Sequence, residues 1–345
     1  MNEFLYGILQ WINGWIGNYG WSMVVFTILV RLVLTPFDIK SRVSMRKTTK
    51  IQPELQRLQA KYANDKEKLN RKMSELYKKE HINPLSSCLP LLLTWPILIA
   101  VFTAMRMVSN GMLLGQVTEI LEGKTPTMEP FLWIKNLWMP DSLFSPAYPD
   151  LGSLKQITGD LWLKWYNGQP IGSHMITTTD VPALLQSVGL ELTADSFSNA
   201  NLQAAIEAIQ KAMAEVNPAY VDGIAGSARW TFNLLITKLT VMNNFNGLML
   251  LPILSAVTQI TMTKIMNGNQ PQQPQQQNGA AGSGKFMTWF FPIFSLIICF
   301  GYSSAFALYW VAGNLVSMVQ TYIINKVLDT KEQKAGTVAA EGTVK

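Results

Sequence analysis

The sequence predicts an all-α membrane protein, and three observations carry that reading. Charged residues make up only 14% of the 345-residue chain, against roughly a quarter in soluble proteins. Hydrophobic residues make up 48%, and the mean hydropathy is +0.15. The charge that remains is uneven, because 13 of the 28 Lys and Arg residues lie between Lys40 and Lys79. Long stretches are therefore almost free of charge, which argues against a disordered chain, a collagen-like fibre or an ordinary cytosolic enzyme. The two cysteines, Cys88 and Cys299, lie in or beside apolar segments. They offer neither a disulfide framework nor a thiol metal site.

A helix needs about 20 apolar residues to cross a hydrocarbon core of about 30 Å. Gly17–Phe37 qualifies with one internal charge, Arg31. The second span is expected within residues 84–108, its apolar part being Leu89–Val108, and Phe245–Met266 is the third. The last apolar block, Phe286–Leu328, is 43 residues long. At about 1.5 Å of rise per residue that is twice the bilayer thickness, so it divides into 286–300 and 305–328 around a turn at Gly301–Ser304. Five spans result.

The loops set the expected orientation. Asp38–Asn83 holds 13 Lys and Arg against 6 Asp and Glu, while Ser109–Thr240 holds 7 against 12. An excess of Lys and Arg in short loops marks the cytoplasmic side. The N-terminus is then outside and the C-terminus inside a bacterial plasma membrane. Met1–Ile16 has no basic leader and no small-residue cleavage site, so a cleavable signal peptide is not expected. Phe4, Ile8, Trp11, Ile12 and Trp15 recur at helical spacing and predict an interfacial amphipathic helix.

The basic loop at 38–83 carries two apolar stripes. Ile51, Leu55, Leu58 and Tyr62 share one helical face, as do Leu69, Met73, Leu76 and Tyr77. Asn64-Asp65, with Glu67 three residues after Asn64, predicts a helix start with a capping-box partner between them. A helical hairpin follows, closed by Asn83-Pro84. Positive-inside topology alone needs no registered stripes, although the basic surface also suits anionic lipid. Residues 109–244 are too long for a plain connection. Leu202, Ile206, Ile209, Met213 and Val216 mark an amphipathic helix within this predicted extracytoplasmic subdomain. Residues 267–285, rich in Gln, Pro and Gly, read as a flexible linker. The tail at 329–345 is neutral, which argues against electrostatic docking to RNA and a nucleic-acid substrate.

Arg31 is the residue whose position demands an explanation. A charge at the centre of a membrane helix costs about 2.5–3.5 kcal/mol on insertion scales. No Asp or Glu stands in the other apolar spans to pair with it. It either snorkels to the cytoplasmic interface or faces a wet cavity where it attracts negative groups. Gln259 in the third span and Trp310 in the fifth are candidates for the same cavity, against the plainer readings of helix–helix hydrogen bonding and packing. Arg106 is expected to snorkel. There is no P-loop, HExxH pair or nucleophile elbow, and only two histidines, so neither enzyme chemistry nor a cofactor or metal is expected.

At these residues the chain becomes familiar. GNYGWSMVVFTILVRLVLTPF, then SMRKTTKIQPELQRLQAKYANDKEKLNRKMSELYKKEHINP, then CLPLLLTWPILIAVFTAMR closely resemble the YidC-type membrane insertase family, which includes the mitochondrial oxidase-assembly and chloroplast Albino proteins. FMTWFFPIFSLIICFGYSSAFALYWVAGNLVSMVQTYII is similar to that family's last two spans. The resemblance covers roughly half the chain. It implies five helices around a hydrophilic groove open to the cytoplasm and lipid, with Arg31, Gln259 and Trp310 at groove positions. It also implies insertion and chaperoning of nascent membrane proteins, alone or with the Sec translocon, signal recognition particle machinery and ribosome. Thr94 departs from the family, many of whose members carry Gln there, and the resemblance does not explain the length of 109–240.

Two other readings compete. One is a small transporter or anion channel with Arg31 as its selectivity charge, for which inverted repeats are missing. The other is an extracytoplasmic binding module on a generic anchor, in which Arg31 would be dispensable.

Overall fold

The computed structural model describes residues 2–81, 89–170, 176–225, 230–233, 238–267 and 283–342. The Asn83-Pro84 junction, Cys88 and residues 268–282 of the expected linker lie outside them. The chain is mostly helical, and it resolves into two compact units. The first comprises Met1–Phe26, Ala100–Val257 and Ile293–Val311; the second comprises Thr27–Ile99, Thr258–Pro292 and Ala312–Lys345.

Among the described residues three helices contain stretches long and apolar enough to cross a membrane, at Tyr19–Lys61, Pro96–Leu121 and Ser304–Lys334. Two further apolar helices, Leu250–Ile265 and Trp289–Gly301, are shorter. The protein is thus a multi-pass membrane protein. Hydropathy places an edge near Phe37, yet α2 (Tyr19–Lys61) is one unbroken helix through the first apolar stretch and into the basic segment. The helix runs through that edge although Pro36 stands at it. Pro36 and Pro53 lie inside the helix, each removing one backbone donor.

In the first unit α1 (Asn2–Ile16) buries Tyr6, Leu9 and Ile12 and leaves Phe4, Trp11 and Trp15 more than 60% exposed. Ile12, expected on the aromatic face, sits on the buried one. Hydrogen bonds from Tyr19 Oη to Gln10 Oε1 (2.9 Å) and from Gln10 Nε2 to Tyr6 Oη (3.1 Å) tie α1 to the start of α2. The last turns of α4 (Leu89–Leu121) bury Val117, Ile120 and Leu121. The short helices α5 (Leu151–Leu154), α6 (Gly159–Tyr166), α7 (Val181–Ser187), α8 (Leu202–Val216) and α9 (Pro218–Ala225) follow, with α8 against α5 and α9 and α6 against α7. Trp162 stacks on Phe197 with centroids 6.1 Å apart, and Trp165 Nε1 donates to Thr118 Oγ1 at 2.8 Å. On α8 the expected stripe buries Ile206, Ile209 and Met213, whereas Val216 is exposed at the end of the helix.

Within this mostly α fold, β1 (Trp230–Asn233) and β2 (Lys238–Val241) form one antiparallel pair. Buried amides hold the irregular segment between α4 and α5. Asn136 Nδ2 donates to Gln116 Oε1 and Ala147 O, and Asn246 Nδ2 donates to Asn136 O, Met139 O and Pro140 O. Buried carbonyls need such donors because water cannot reach them.

In the second unit the end of α2 folds back against α3 (Lys66–Lys79). Ile51, Leu55 and Leu76 are buried together, with Leu58, Met73 and Tyr77 packed against them. The N-cap of α3 is Asp65, whose carboxylate accepts from Lys68 N, so the cap falls one residue later than Asn64, and Glu67 lies within the first turn. The remaining helices are α10 (Leu250–Asn267), α11 (Ser283–Gly301) and α12 (Ser304–Gly342).

Candidate functional site

Arg31 lies on α2 and is half-buried. Its surroundings come from α12, some 280 residues later in the chain. A Cβ on Gly313 would stand 3.3 Å from Arg31 Nη2 and 3.7 Å from Nε, so the absent side chain leaves space that the guanidinium borders. One turn along α2, Gln320 Nε2 donates to Arg31 O (3.0 Å) and to Thr35 Oγ1 (2.8 Å), and Thr35 Oγ1 itself donates to Arg31 O. The main chain at Arg31 is therefore anchored while the guanidinium keeps its donors for other partners.

The last apolar helix carries more polarity than its composition suggests. Gly313, Asn314, Ser317, Gln320 and Thr321 recur at three- and four-residue spacing and so share one face of α12. Asn314 Nδ2 donates to Thr258 Oγ1 at 3.0 Å, which brings the turn of α10 holding Gln259 to the turn of α12 holding Gly313. Thr321 Oγ1 accepts from Arg42 Nη2. Ser317 Oγ, Gln320 Oε1 and Arg42 Nε are buried without a partner among the described residues. Orphaned polar atoms cost about 1–3 kcal/mol each when dry, so this polar face favours water.

Beyond it the same two helices continue side by side through charges. Arg46 Nη1 pairs with Asp329 at 2.7 Å, Arg46 Nη2 donates to Asn325 O at 3.1 Å, and Lys50 Nζ meets Glu332 at 3.2 Å. Asp38, two turns after Arg31 on α2, interacts electrostatically with both Arg31 and Arg42. It stands just past the first apolar stretch, where a search for counter-charges inside the spans does not reach.

Of the three expected groove residues, Arg31 and Gln259 belong to this unit. Trp310 belongs to the other, where it packs on Phe306 with centroids 5.7 Å apart. Its Nε1 is buried without a partner among the described residues. Sequence reasoning missed Thr258, Gly313, Asn314, Ser317 and Gln320. The signal that finds them is the helical spacing of small and polar residues within an apolar span.

The family model described as 60Kd inner membrane protein matches residues 11–221 and 222–332. The chain belongs to this family. Among curated relatives, it is 37% identical over 144 residues to "Membrane protein insertase YidC" of Fusobacterium nucleatum, covering 42% of this chain and 62% of that protein. The same name is carried by a relative in Anaeromyxobacter dehalogenans, 36% identical over 137 residues, which are 40% of this chain and 22% of that one. It is carried as well by one in Aromatoleum aromaticum, 43% identical over 98 residues, which are 28% and 18%. The chain thus spans less than two thirds of the length of these relatives. For a 60Kd inner membrane protein family member, the polar helix face beside Arg31 is the feature from which a function is argued.

Proposed function

We propose that the chain is a membrane protein insertase and chaperone for nascent membrane proteins. The observation that carries the proposal is Arg31, a fixed positive charge on an apolar helix beside a polar, water-favouring face of α12. In this reading five spans enclose a hydrophilic groove open to the cytoplasm and to lipid. The N-terminus is outside the bacterial plasma membrane and the C-terminus inside. Arg31, Gln259 and Trp310 face the groove. The names carried by the curated relatives support it.

The physics is simple. A substrate with one apolar segment presents a short, often acidic tail, which Arg31 draws into the groove. Water there lowers the cost of desolvating the tail's polar groups. The apolar segment then leaves sideways into lipid, driven by about 25 cal/mol per Å² of apolar surface buried. A membrane potential adds about 2.3 kcal/mol per charge per 100 mV for an acidic tail moving outward. The basic hairpin at 38–83 meets incoming chains, the ribosome or signal recognition particle machinery, and anionic lipid, and the Sec translocon is a further partner in this reading.

The test is photocrosslinking from Gln259 and Trp310 to a ribosome-stalled single-span chain, in wild type, Arg31→Ala and Arg31→Lys. Crosslinks at both positions, weakened by alanine and kept by lysine, are expected. Crosslinks indifferent to Arg31 would reduce it to a structural role. None at either position, with protein folded and chain targeted, would overturn the groove.

A further inference from the structure

A second polar feature lies in the first unit, away from Arg31 in sequence. A cavity of about 490 Å³ lies between α4 and α6. Arg106, Met107 and Asn110 line it from α4, and Asp160, Leu161 and Lys164 line it from α6. Arg106 does not simply reach for solvent. One Nη donates to Gln156 O at 2.8 Å, and the guanidinium lies over the rings of Phe102 and Tyr302 at 5.8 and 6.0 Å. Those contacts hold the cation at the cavity and leave most of its five donors unused.

Two residues point to a ligand. Asn110 is 7% exposed, and its side chain borders the cavity. An amide on a cavity wall offers both donors and an acceptor to whatever enters it. Lys164 forms no ion pair among the described residues, although Asp160 lies one turn earlier on the same helix. Two cations, one carboxylate and an amide leave a net charge of +1. That suits one phosphodiester, with Asp160 left to accept from a hydroxyl or ammonium beyond it. The apolar wall of Met107, within the apolar stretch of α4, and Leu161 suits the start of acyl chains.

We propose that this cavity binds the headgroup of a glycerophospholipid. Its phosphodiester rests on Arg106 and Lys164, Asn110 donates to an ester oxygen, and Asp160 favours headgroups carrying a hydrogen-bond donor. The volume lies within the 300–1,000 Å³ typical of small-ligand sites. The same phosphate chemistry in a soluble ester is the competing source, and the length of the ligand separates the two. The proposal does not depend on insertase activity.

The test uses the full chain in phosphatidylcholine nanodiscs doped with photoreactive phosphatidylglycerol, with crosslinks mapped by peptide. Crosslinks are expected within 102–110 and 158–169. They should fall about tenfold in Lys164→Gln, which removes one charge-assisted hydrogen bond. They should fall similarly in Asn110→Asp, which sets a negative charge against the phosphate. Lys164 is the cleaner variant, since it forms no ion pair among the described residues that the substitution would break. Unlabelled phosphatidylglycerol should compete and glycerol 3-phosphate should not. Labelling unmoved by both substitutions would overturn the site. Equal competition by glycerol 3-phosphate would overturn the lipid as its occupant.

Discussion

Gly313 on α12 borders Arg31 so closely that an added Cβ would stand 3.3 Å from the guanidinium Nη2. That spacing is tight, but the neighbour is the end of a long side chain that can shift by a few tenths of an ångström. Gly313→Ala also gains about 1 kcal/mol of helix propensity. The expected outcome is a melting temperature at or above wild type, with insertion little changed. Gly313→Leu has no such latitude and should displace the guanidinium, lowering insertion to the level of Arg31→Ala while the protein stays folded. An insertion assay on both variants beside their thermal melts checks this. Equal insertion by wild type and Gly313→Leu would show that the position of the arginine does not matter.

Gln320 holds α12 to α2 through two donations, to Arg31 O and Thr35 Oγ1, while its own Oε1 is buried without a partner among the described residues. Gln320→Leu removes both bonds but also removes the orphaned acceptor. The two effects oppose each other, so the net loss should stay near or below about 1.5 kcal/mol. Gln320→Glu puts a carboxylate where two acceptors stand and should destabilise more. Chemical unfolding of the two variants in detergent ranks them, and a Glu variant as stable as the Leu variant would contradict Gln320 as the donor to both acceptors.

Much of this was legible in the sequence, and the remainder has a common physical cause. The stripes Ile51, Leu55, Leu58 and Met73, Leu76, Tyr77 could be read because helical period is local, and these residues pack together. Arg31 stood out because the cost of its burial does not depend on its neighbours. Its neighbours did not stand out, because Gly313 and Gln320 lie far along the chain and each alone resembles ordinary helix packing. The cap of α3 was legible to within one residue, since Asn64 and Asp65 are both good caps and only the folded turn selects between them. The edge at Phe37 is a change of solvent rather than of backbone, so α2 passes through it unbroken.

Arg46 and Asp329 are expected to contribute unequally to the contact between α2 and α12. Their 2.7 Å pair is asymmetric, with Arg46 22% exposed and Asp329 60% exposed. Exposed pairs are worth about 0–1 kcal/mol, so Asp329→Ala should change stability by less than that and lose its effect in high salt. Arg46→Ala also removes the donation to Asn325 O and the nearby Glu332 charge. It should cost more, and salt should not abolish the difference. Melts at low and high ionic strength decide, and equal costs would mean the Asn325 contact contributes nothing.

Asp141 ties the start of α10 to the segment before it, accepting from Met249 N at 3.0 Å, Leu251 N at 2.7 Å and Trp133 Nε1 at 3.1 Å. It is fully buried. Asp141→Ala leaves those three donors unpaired, and a loss of about 3 kcal/mol or more is expected. Asp141→Asn keeps one acceptor oxygen and should recover part of it. A Cβ on Gly247 would overlap the same carboxylate, so Gly247→Ala should resemble Asp141→Ala rather than an ordinary loop substitution. Unfolding of the three variants provides the check, and a silent Gly247→Ala would show that the carboxylate can move.

Glu129 offers a pH test with a definite sign. Its Oε1 accepts from Tyr19 N at 2.9 Å and from Asn18 Nδ2 at 3.1 Å, at the first turn of α2. Burial pushes its carboxyl above the ordinary value of 4.5, and the bond from Tyr19 N only partly opposes this. A raised value in the folded state means that the folded protein holds the proton more tightly than the unfolded chain. The resulting stability is fully present below about 4.5 and is lost as pH rises through the raised value. The helix dipole favours the opposite sign, since it stabilises an anion at an N-terminus. If burial dominates, Glu129→Gln, which keeps an acceptor without the charge, should melt at or above wild type near neutral pH. The difference should close as the pH falls below the ordinary carboxylate value. A glutamine variant that melts lower than wild type at neutral pH would instead show that the charge on the helix start outweighs the cost of burying it.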